Sequence, residues 1–550
     1  MTWLEPGELR VGLGCMRLEP DDVDTVAAAV DAGITVFDTA RSYDGSEELL
    51  ARALRSVPNA RIVTKGGMAR PAGAWIPDGR AKTILADCEA SLATFDGLPI
   101  DLYLLHAPDP RTPLRTSVRA LARLVEDGTV ARVGVCNVNR AQLEEALEHA
   151  PIAAVQVRIS LLDDRALRGG VLERCAELGI VVIAHSPLGG PRRVRRLARD
   201  ARLMELARAH DATEAEVALA WLLGLAPDLV VTPGARSPQA ARSAARAASL
   251  RLTAEQRARL GGARPVQQRA TRRGDVVLVM GVQGAGKSRL AAEYVERGYL
   301  RLNRDERGGS LRDVASALEE ALVAGSRKVV LDNTYLTRAT RSYVVEAAAR
   351  HGVPVRCVWL EVPLAQAQVN LVERLLERFA ALPAPEELKE AARSTAGVLT
   401  PTQQMRAFRE LEPPAEDEGF ASVERVPYVR TERAGGTGVF VAAPAASLLP
   451  LEGTDPAAPH LVFDWLPGGS AADLDDAVAL VARSVSGAVE GAVCPHPGGP
   501  PICWCRPPLP GLPLEFARRH GVDPARSVVV GASTAHRTLA NALGAGYLEA

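Results

Sequence analysis

Short runs of aliphatic and β-branched residues alternate with stretches whose apolar positions recur every three to four residues, from the N-terminus to about residue 262. The strand-like runs fall at 11–14, 34–38, 61–65, 101–106, 133–136, 153–157, 180–185 and 229–232. Eight such runs, each followed by a helical pattern, predict a (β/α)₈ barrel over residues 1–262. Residues 263–274, with Pro265 and polar neighbours, read as a linker. A second alternation of strand and helix follows over 275–430, with strands expected at 276–280, 328–331 and 355–361. The Ala/Pro/Gly-rich stretch 431–459 reads as a second linker before a last, small α/β domain at 460–550. The expected fold class is α/β throughout: a barrel, a second parallel sheet, and a small third domain.

Composition narrows the functional classes. A chain of 550 residues has room for about three or four domains. A net charge of -1 gives no global basic field, so contact with nucleic acid needs a local patch. Cys15, Cys88, Cys136, Cys175 and Cys357 are scattered singly in apolar contexts, unlike a disulfide framework, and point to a reducing cytoplasm. No basic stretch followed by an apolar run opens the chain, and no run reaches membrane-spanning length, so no membrane partner is expected. Of 65 basic residues only Lys65, Lys82, Lys287, Lys328 and Lys389 are lysines. Lysine therefore marks places where a compact ammonium, or one whose pKa matters, is wanted.

Lys287 is one such place. Gly281-Val282-Gln283-Gly284-Ala285-Gly286-Lys287-Ser288 follows an apolar strand and opens a helical pattern. Glycines at this spacing let backbone N–H groups wrap a polyphosphate, the lysine reaches its outer phosphates, and the serine can ligate Mg²⁺. ATP or GTP is the expected ligand. Downstream, Asp305 stands between Arg304 and Arg307, a carboxylate suited to deprotonating an acceptor hydroxyl beside cations that hold a charged acceptor. Asp332 ends a strand where a Mg²⁺-linked acid usually sits. Asn370 and Arg374 lie one helical turn apart, placing Arg374 to close over phosphates. Asn303-Arg304-Asp305 and Asp332-Asn333-Thr334, with the spacing between them, resemble the kinase domain of polynucleotide 5′-kinases, especially the animal end-healing type. The resemblance continues through Gly352–Cys357 and Phe408 to Phe420. It implies Asp305 as general base, Lys287 and Ser288 on ATP·Mg²⁺, Arg374 as lid arginine, and a nucleic-acid 5′-hydroxyl end as acceptor. Gly308 stands where the phage relative has an acceptor-phosphate arginine, leaving that role to Arg304 or Arg307.

In the barrel, Asp38, Lys65 and His106 end successive strands and Tyr43 follows in the next loop. Barrel enzymes assemble their sites from such strand ends. A phenol titrates near ~10, and a neighbouring Lys65 ammonium, held charged by Asp38, is expected to lower that value. Phe37-Asp38-Thr39-Ala40-Arg41-Ser42-Tyr43-Asp44-Gly45-Ser46-Glu47, with Val63-Thr64-Lys65 and Leu104-Leu105-His106, resembles the aldo-keto reductase signature. Gly134-Val135-Cys136-Asn137, Gln156, Ser186-Pro187-Leu188-Gly189 and Pro233-Gly234-Ala235-Arg236 match later landmarks of that family. The resemblance implies NADP(H), an aldehyde or ketone substrate, Tyr43 as general acid tuned by Lys65 and Asp38, and His106 orienting the carbonyl. Asn137 and Gln156 would grip the nicotinamide carboxamide, with Ser186, Leu188, Gly234 and Arg236 along the cofactor. His185 replaces a stacking Tyr of many relatives, and Ser243-Ala244 a Glu-Asn pair that holds adenine. The run 191–196 carries four arginines, a solvated helix face or a clamp for phosphates.

Cys494, His496, Cys503 and Cys505 gather three thiols and an imidazole within twelve positions, a full tetrahedral set for structural Zn²⁺. With Arg506–Gly511 and Ser527–Gly531 they resemble zinc-bearing phosphatases of the haloacid dehalogenase superfamily, over the latter half of such a domain. Of the acids that family needs, the stretch 461–466 keeps at most Asp464. Pro507 replaces the motif lysine, and Ala532 the first metal-binding acid. The domain reads as a zinc-stapled, non-catalytic module.

These readings combine into a nucleic-acid end-processing kinase behind a carbonyl reductase barrel. Two rivals stand beside it: a kinase acting on a small-molecule hydroxyl, and a barrel that serves as a scaffold without catalysis.

Overall fold

The computed structural model describes residues 3–4, 7–190, 193–261, 274–430, 434–447 and 453–550. Residues 263–273 of the first expected linker and Arg192 of the basic run lie outside the described residues. The chain divides into two compact units, one built on an eight-stranded sheet and one holding two five-stranded sheets.

In the first unit the strands are β1 (Gly12–Gly14), β2 (Val36–Asp38), β3 (Arg61–Gly66), β4 (Ile100–Leu105), β5 (Val133–Cys136), β6 (Ile152–Arg158), β7 (Val181–His185) and β8 (Leu229–Thr232). They pair in chain order, all parallel. Parallel bridges Val11↔Val231 and Gly14↔Gly234 close the ring. Successive side chains on a strand point to opposite faces. Val36, Val63, Leu102, Leu104, Ala154 and Ile183 therefore fill the inside, with Trp3. Phe37, Ile62, Tyr103, Leu105, Val155 and Val182 pack outward under the helices. The same period of two continues the inward series upward to Asp38, Lys65, His106, Gln156 and His185. Alternation alone thus delivers five polar side chains to the barrel mouth.

The second unit begins with β9 (Asp275–Met280), β10 (Leu300–Leu302), β11 (Lys328–Asp332), β12 (Val355–Glu361) and β13 (Ser422–Pro427). They form a parallel sheet in the order β10-β11-β9-β12-β13. The two strands absent from the sequence reading, β10 and β13, are its edges. An edge strand need not be apolar, and β13 is mostly exposed.

The third sheet corrects the expected linker at 431–459. Residues Val439–Ala442 form β14, the middle strand of a parallel sheet with β15 (His460–Trp465), β16 (Val489–Cys494), β17 (Val528–Gly531) and β18 (Gly546–Glu549), in the order β16-β15-β14-β17-β18. A strand buried on both faces needs only a short apolar run, here Val439-Phe440-Val441-Ala442. The third sheet therefore draws its middle strand from within the stretch expected to be linker. Residues 431–433 and 448–452 lie outside the described residues. One apolar core joins this sheet to the helix Leu364–Phe379 of the preceding domain: Val369, Val372 and Leu376 cluster with Phe440, Trp504 and Phe516. No helix among the described residues is long and apolar enough to cross a membrane.

Candidate functional sites

The barrel mouth holds a cavity of about 830 Å³ whose walls include Asp38, Tyr43, Trp75, His106, Gln156 and His185. Lys65, almost wholly buried, donates to Asp38 Oδ1 at 2.8 Å and to the Thr39 carbonyl at 2.6 Å. Gln156 Nε2 donates to the same Asp38 oxygen at 2.8 Å. Burial opposes charge on Lys65, but the Asp38 carboxylate outweighs it and the ammonium titrates above its usual range. Its nitrogen lies 5.2 Å from the centroid of the Tyr43 ring. The expected lowering of the Tyr43 pKa does not hold. Burial pushes it up to about 12, and Lys65 only partly offsets that. Tyr43 is thus a neutral phenol at ordinary pH, with the Lys65 cation close to its ring.

His106 is held well below the usual imidazole range, by burial first and then by Lys65 and His185. It is neutral at physiological pH. Its Nδ1 lies 3.3 Å from Ser42 Oγ, and its carbonyl accepts from Asn137 Nδ2 at 3.1 Å. Trp75, missed in the sequence reading, meets Tyr43 and His106 edge-on, with centroids 6.0 and 5.7 Å away. It sits in the small hairpin after β3, where no periodic pattern points to it.

In the second unit, Gly281, Gly284 and Gly286 have φ of 149°, 88° and 91°. A Cβ on Gly284 would lie 2.4 Å from the Ala367 carbonyl, so only glycine lets the loop pass that helix. Lys287 turns back on its own loop, donating to the Val282 carbonyl at 2.9 Å. Burial lowers its pKa to about 8; Asp332 and Asp305 pull upward and Arg374 downward. Asp305 and Arg374 therefore both lie within electrostatic reach of the ammonium. Ser288 is exposed, second in the helix Lys287–Glu296.

Asp332 is buried and accepts from Arg301 and from Asn303 Nδ2, the former a partner that the sequence reading did not name. Asn303 Oδ1 caps the backbone N–H groups of Asp305 at 2.7 Å and Glu306 at 3.2 Å. Asp305 itself is exposed, with Arg304 Nη2 at 3.0 Å; Arg307 is exposed. Asn370 Nδ2 donates to the Gly284 carbonyl at 2.8 Å, bracing the loop, and Arg374 is exposed one turn further on. Gln404, also unnamed before, reaches the loop by donating to the Gln283 carbonyl at 3.2 Å.

The sequence model of the Aldo/keto reductase family matches residues 10–264, and that of an AAA domain matches residues 276–399. Aldo-keto reductase str7 of Strobilurus tenacellus is 30% identical over 275 residues, 44% of this chain and 81% of that protein. Probable aldo-keto reductase 1 of Glycine max is 32% identical over 268 residues, 41% of this chain and 76% of that protein. The crystal structure of a Klebsiella pneumoniae aldo-keto reductase with NADPH aligns at 28% identity, TM-score 0.41, over 46% of this chain and 89% of that one. The chain belongs to the aldo/keto reductase family. A P-loop nucleotide-binding domain follows its reductase barrel.

Around the reductase cleft the landmark residues divide. Ser186, Leu188 and Gly234 line the cavity; Arg236 is exposed in the loop after β8, off its wall. Asn137 and Gln156 both reach the cavity. The amide of Asn137 is committed to the His106 carbonyl and to His185 Nε2, at 2.9 Å, and that of Gln156 to Asp38. Asn137 and Ser186, both on the cavity wall, have left-handed φ of 57° and 50°. Ser243 donates to Glu216 Oε1 at 2.7 Å.

At the third sheet, the ligand atoms of Cys494, His496, Cys503 and Cys505 lie within 4.8 Å of one another. His496 Nδ1 is 3.5 Å from Cys494 Sγ and 3.2 Å from Cys505 Sγ. Three thiols and one imidazole at these separations fit a single tetrahedral ion. The middle strand of this sheet runs out into Ala443-Pro444-Ala445, with no carboxylate. Asp464, the one acid of that pattern the stretch could retain, is the penultimate residue of the neighbouring strand β15 and acts electrostatically on His536.

Proposed function

We propose that the chain is a two-centre enzyme, an NADP(H)-dependent carbonyl reductase joined to an ATP-dependent kinase for 5′-hydroxyl ends of RNA or DNA. The reductase reading rests on one observation: Asp38, Lys65, Tyr43 and His106 line or underlie a single cleft in a chain of this family. NADP(H), when bound, supplies the hydride. Tyr43 donates the proton to the carbonyl oxygen of an aldehyde or ketone, Lys65 stabilises the phenolate that remains, and neutral His106 donates a hydrogen bond to the same oxygen. Asn137, Gln156, Ser186, Leu188 and Gly234 would hold the nicotinamide half.

For the kinase, the supporting observation is that Asp305 and Arg374 converge electrostatically on Lys287. Asp305 takes the proton of the acceptor hydroxyl, Lys287 and Arg374 hold the transferring phosphoryl group, and Arg304 and Arg307 hold acceptor phosphates. Ser288 and Asp332 would hold Mg²⁺, which neutralises phosphate charge when bound. At the third sheet Cys494, His496, Cys503 and Cys505 would hold a structural Zn²⁺.

Incubation of a 5′-hydroxyl oligonucleotide with labelled ATP tests the kinase. Label transfer that Asp305→Ala lowers by about 10²- to 10⁴-fold supports it. Transfer to a sugar or another small hydroxyl compound alone would establish the rival acceptor. Oxidation of NADPH by a panel of aldehydes, absent in Tyr43→Phe, tests the reductase; failure of both proteins to bind NADPH leaves the barrel a scaffold.

A further inference from the structure

We propose that the metal cluster of the third sheet sets the shape of the phosphate loop, so that nucleotide affinity depends on the bound metal. The inference rests on reading Cys494, His496, Cys503 and Cys505 as metal ligands and Gly281–Ser288 as the nucleotide cradle. Trp504 stands between two of those ligands and is buried. Its indole N–H donates to the Leu399 carbonyl at 3.0 Å, and its ring belongs to the core that holds Leu388 and Val398. Two residues past Thr400, the Thr402 hydroxyl donates to the Pro501 carbonyl at 3.1 Å, on the same metal-bearing loop.

Thr402 lies on the helix Pro401–Glu410, and Gln404 on that helix is fully buried and donates to the Gln283 carbonyl of the phosphate loop. One short helix therefore grips the metal loop with Thr402 and the nucleotide loop with Gln404. A second route runs through the helix Leu364–Phe379, whose Val369, Val372 and Leu376 share the Trp504 core and whose Asn370 holds the Gly284 carbonyl. The loop 495–505 is rich in Pro and Gly and holds neither helix nor strand. A tetrahedral ion fixes the positions of Cys503 and Cys505, and so fixes Trp504 between them. Without it, Trp504 loses its seat, and both supports of the phosphate loop loosen.

Zinc is removed from the full-length protein with a chelator, its loss is confirmed by elemental analysis, and a fluorescent ATP analogue is titrated. Affinity should fall about two- to tenfold, the worth of one or two hydrogen bonds, and return when Zn²⁺ is restored. NADPH binding to the barrel should not change. Trp504→Phe keeps an aromatic ring, though a smaller one, and the ligands but removes the N–H; it should retain one zinc per chain and still weaken nucleotide binding. By reciprocity, bound nucleotide should tighten zinc affinity by the same factor, read by competition with a chelator at equilibrium. Unchanged nucleotide affinity in the zinc-free protein and in Trp504→Phe would overturn the coupling while leaving both sites standing. A chain that takes up no zinc would overturn it through the ligand reading instead, and one that binds no nucleotide with zinc in place through the cradle reading.

Discussion

Lys65 is buried and Lys287 partly buried, and the two have opposite electrostatics. Lys65 has its counter-charge in place, Asp38 at 2.8 Å, and titrates above its ordinary range. Among the described residues, Lys287 hydrogen-bonds only to a backbone carbonyl, and its pKa is depressed to about 8. The barrel lysine is part of a finished site that waits for a neutral carbonyl. The loop lysine feels Asp332 and Asp305 without an ion pair to either among the described residues, and desolvation wins. A carboxylate in direct contact is what separates the two.

The contrast predicts different failures. Asp38→Ala leaves the Lys65 ammonium buried and unpaired, and should destabilise the barrel by about 3–5 kcal/mol in denaturant unfolding. Lys287→Met should leave stability unchanged or raise it. Equal losses in the two proteins would erase the distinction. Tyr43→Phe should lower carbonyl reduction by about 10²- to 10⁴-fold while NADPH binding stays near that of the parent, since the phenol acts on the proton rather than on the cofactor. Lys287→Ala should reduce phosphoryl transfer by about 10²- to 10³-fold and weaken ATP binding.

The gentlest test is pH. Only the ammonium form of Lys287 attracts phosphate, so ATP affinity should be constant below about 8 and decline as pH rises past it. Carbonyl reduction should lack an imidazole step between pH 6 and 8, because His106 is already neutral and Tyr43 stays protonated to about 12. A reductase limb near 6.5 would show His106 charged in the working enzyme and would break the account of its environment.

Much of this was legible in the sequence because strand alternation is rigid. Once 34–38, 61–65 and 101–106 are strands, Asp38, Lys65 and His106 must share a mouth. The phosphate loop is legible for a similar reason, since its glycines and lysine sit at fixed offsets from a strand end. What failed was whatever depends on three-dimensional weighing. The sequence places Lys65 beside Tyr43 but does not say that burial of the phenol outweighs the cation. Leu300–Leu302 and Ser422–Pro427 escaped because edge strands carry polar residues, and Val439–Ala442 because four apolar residues amid Ala, Pro and Gly look like spacer. Arg301 and Gln404 gave no signal, since each acts on a partner distant in sequence.

The shared core between the helix Leu364–Phe379 and the third sheet has a practical corollary for anyone wishing to isolate the nucleotide-binding half. Ending the chain at residue 430 would strip the cover from Val369, Val372, Leu375 and Leu376 and turn a packed interior into an exposed greasy stripe. A fragment cut there should clump, whereas one running on to residue 550 keeps that side of the helix dry.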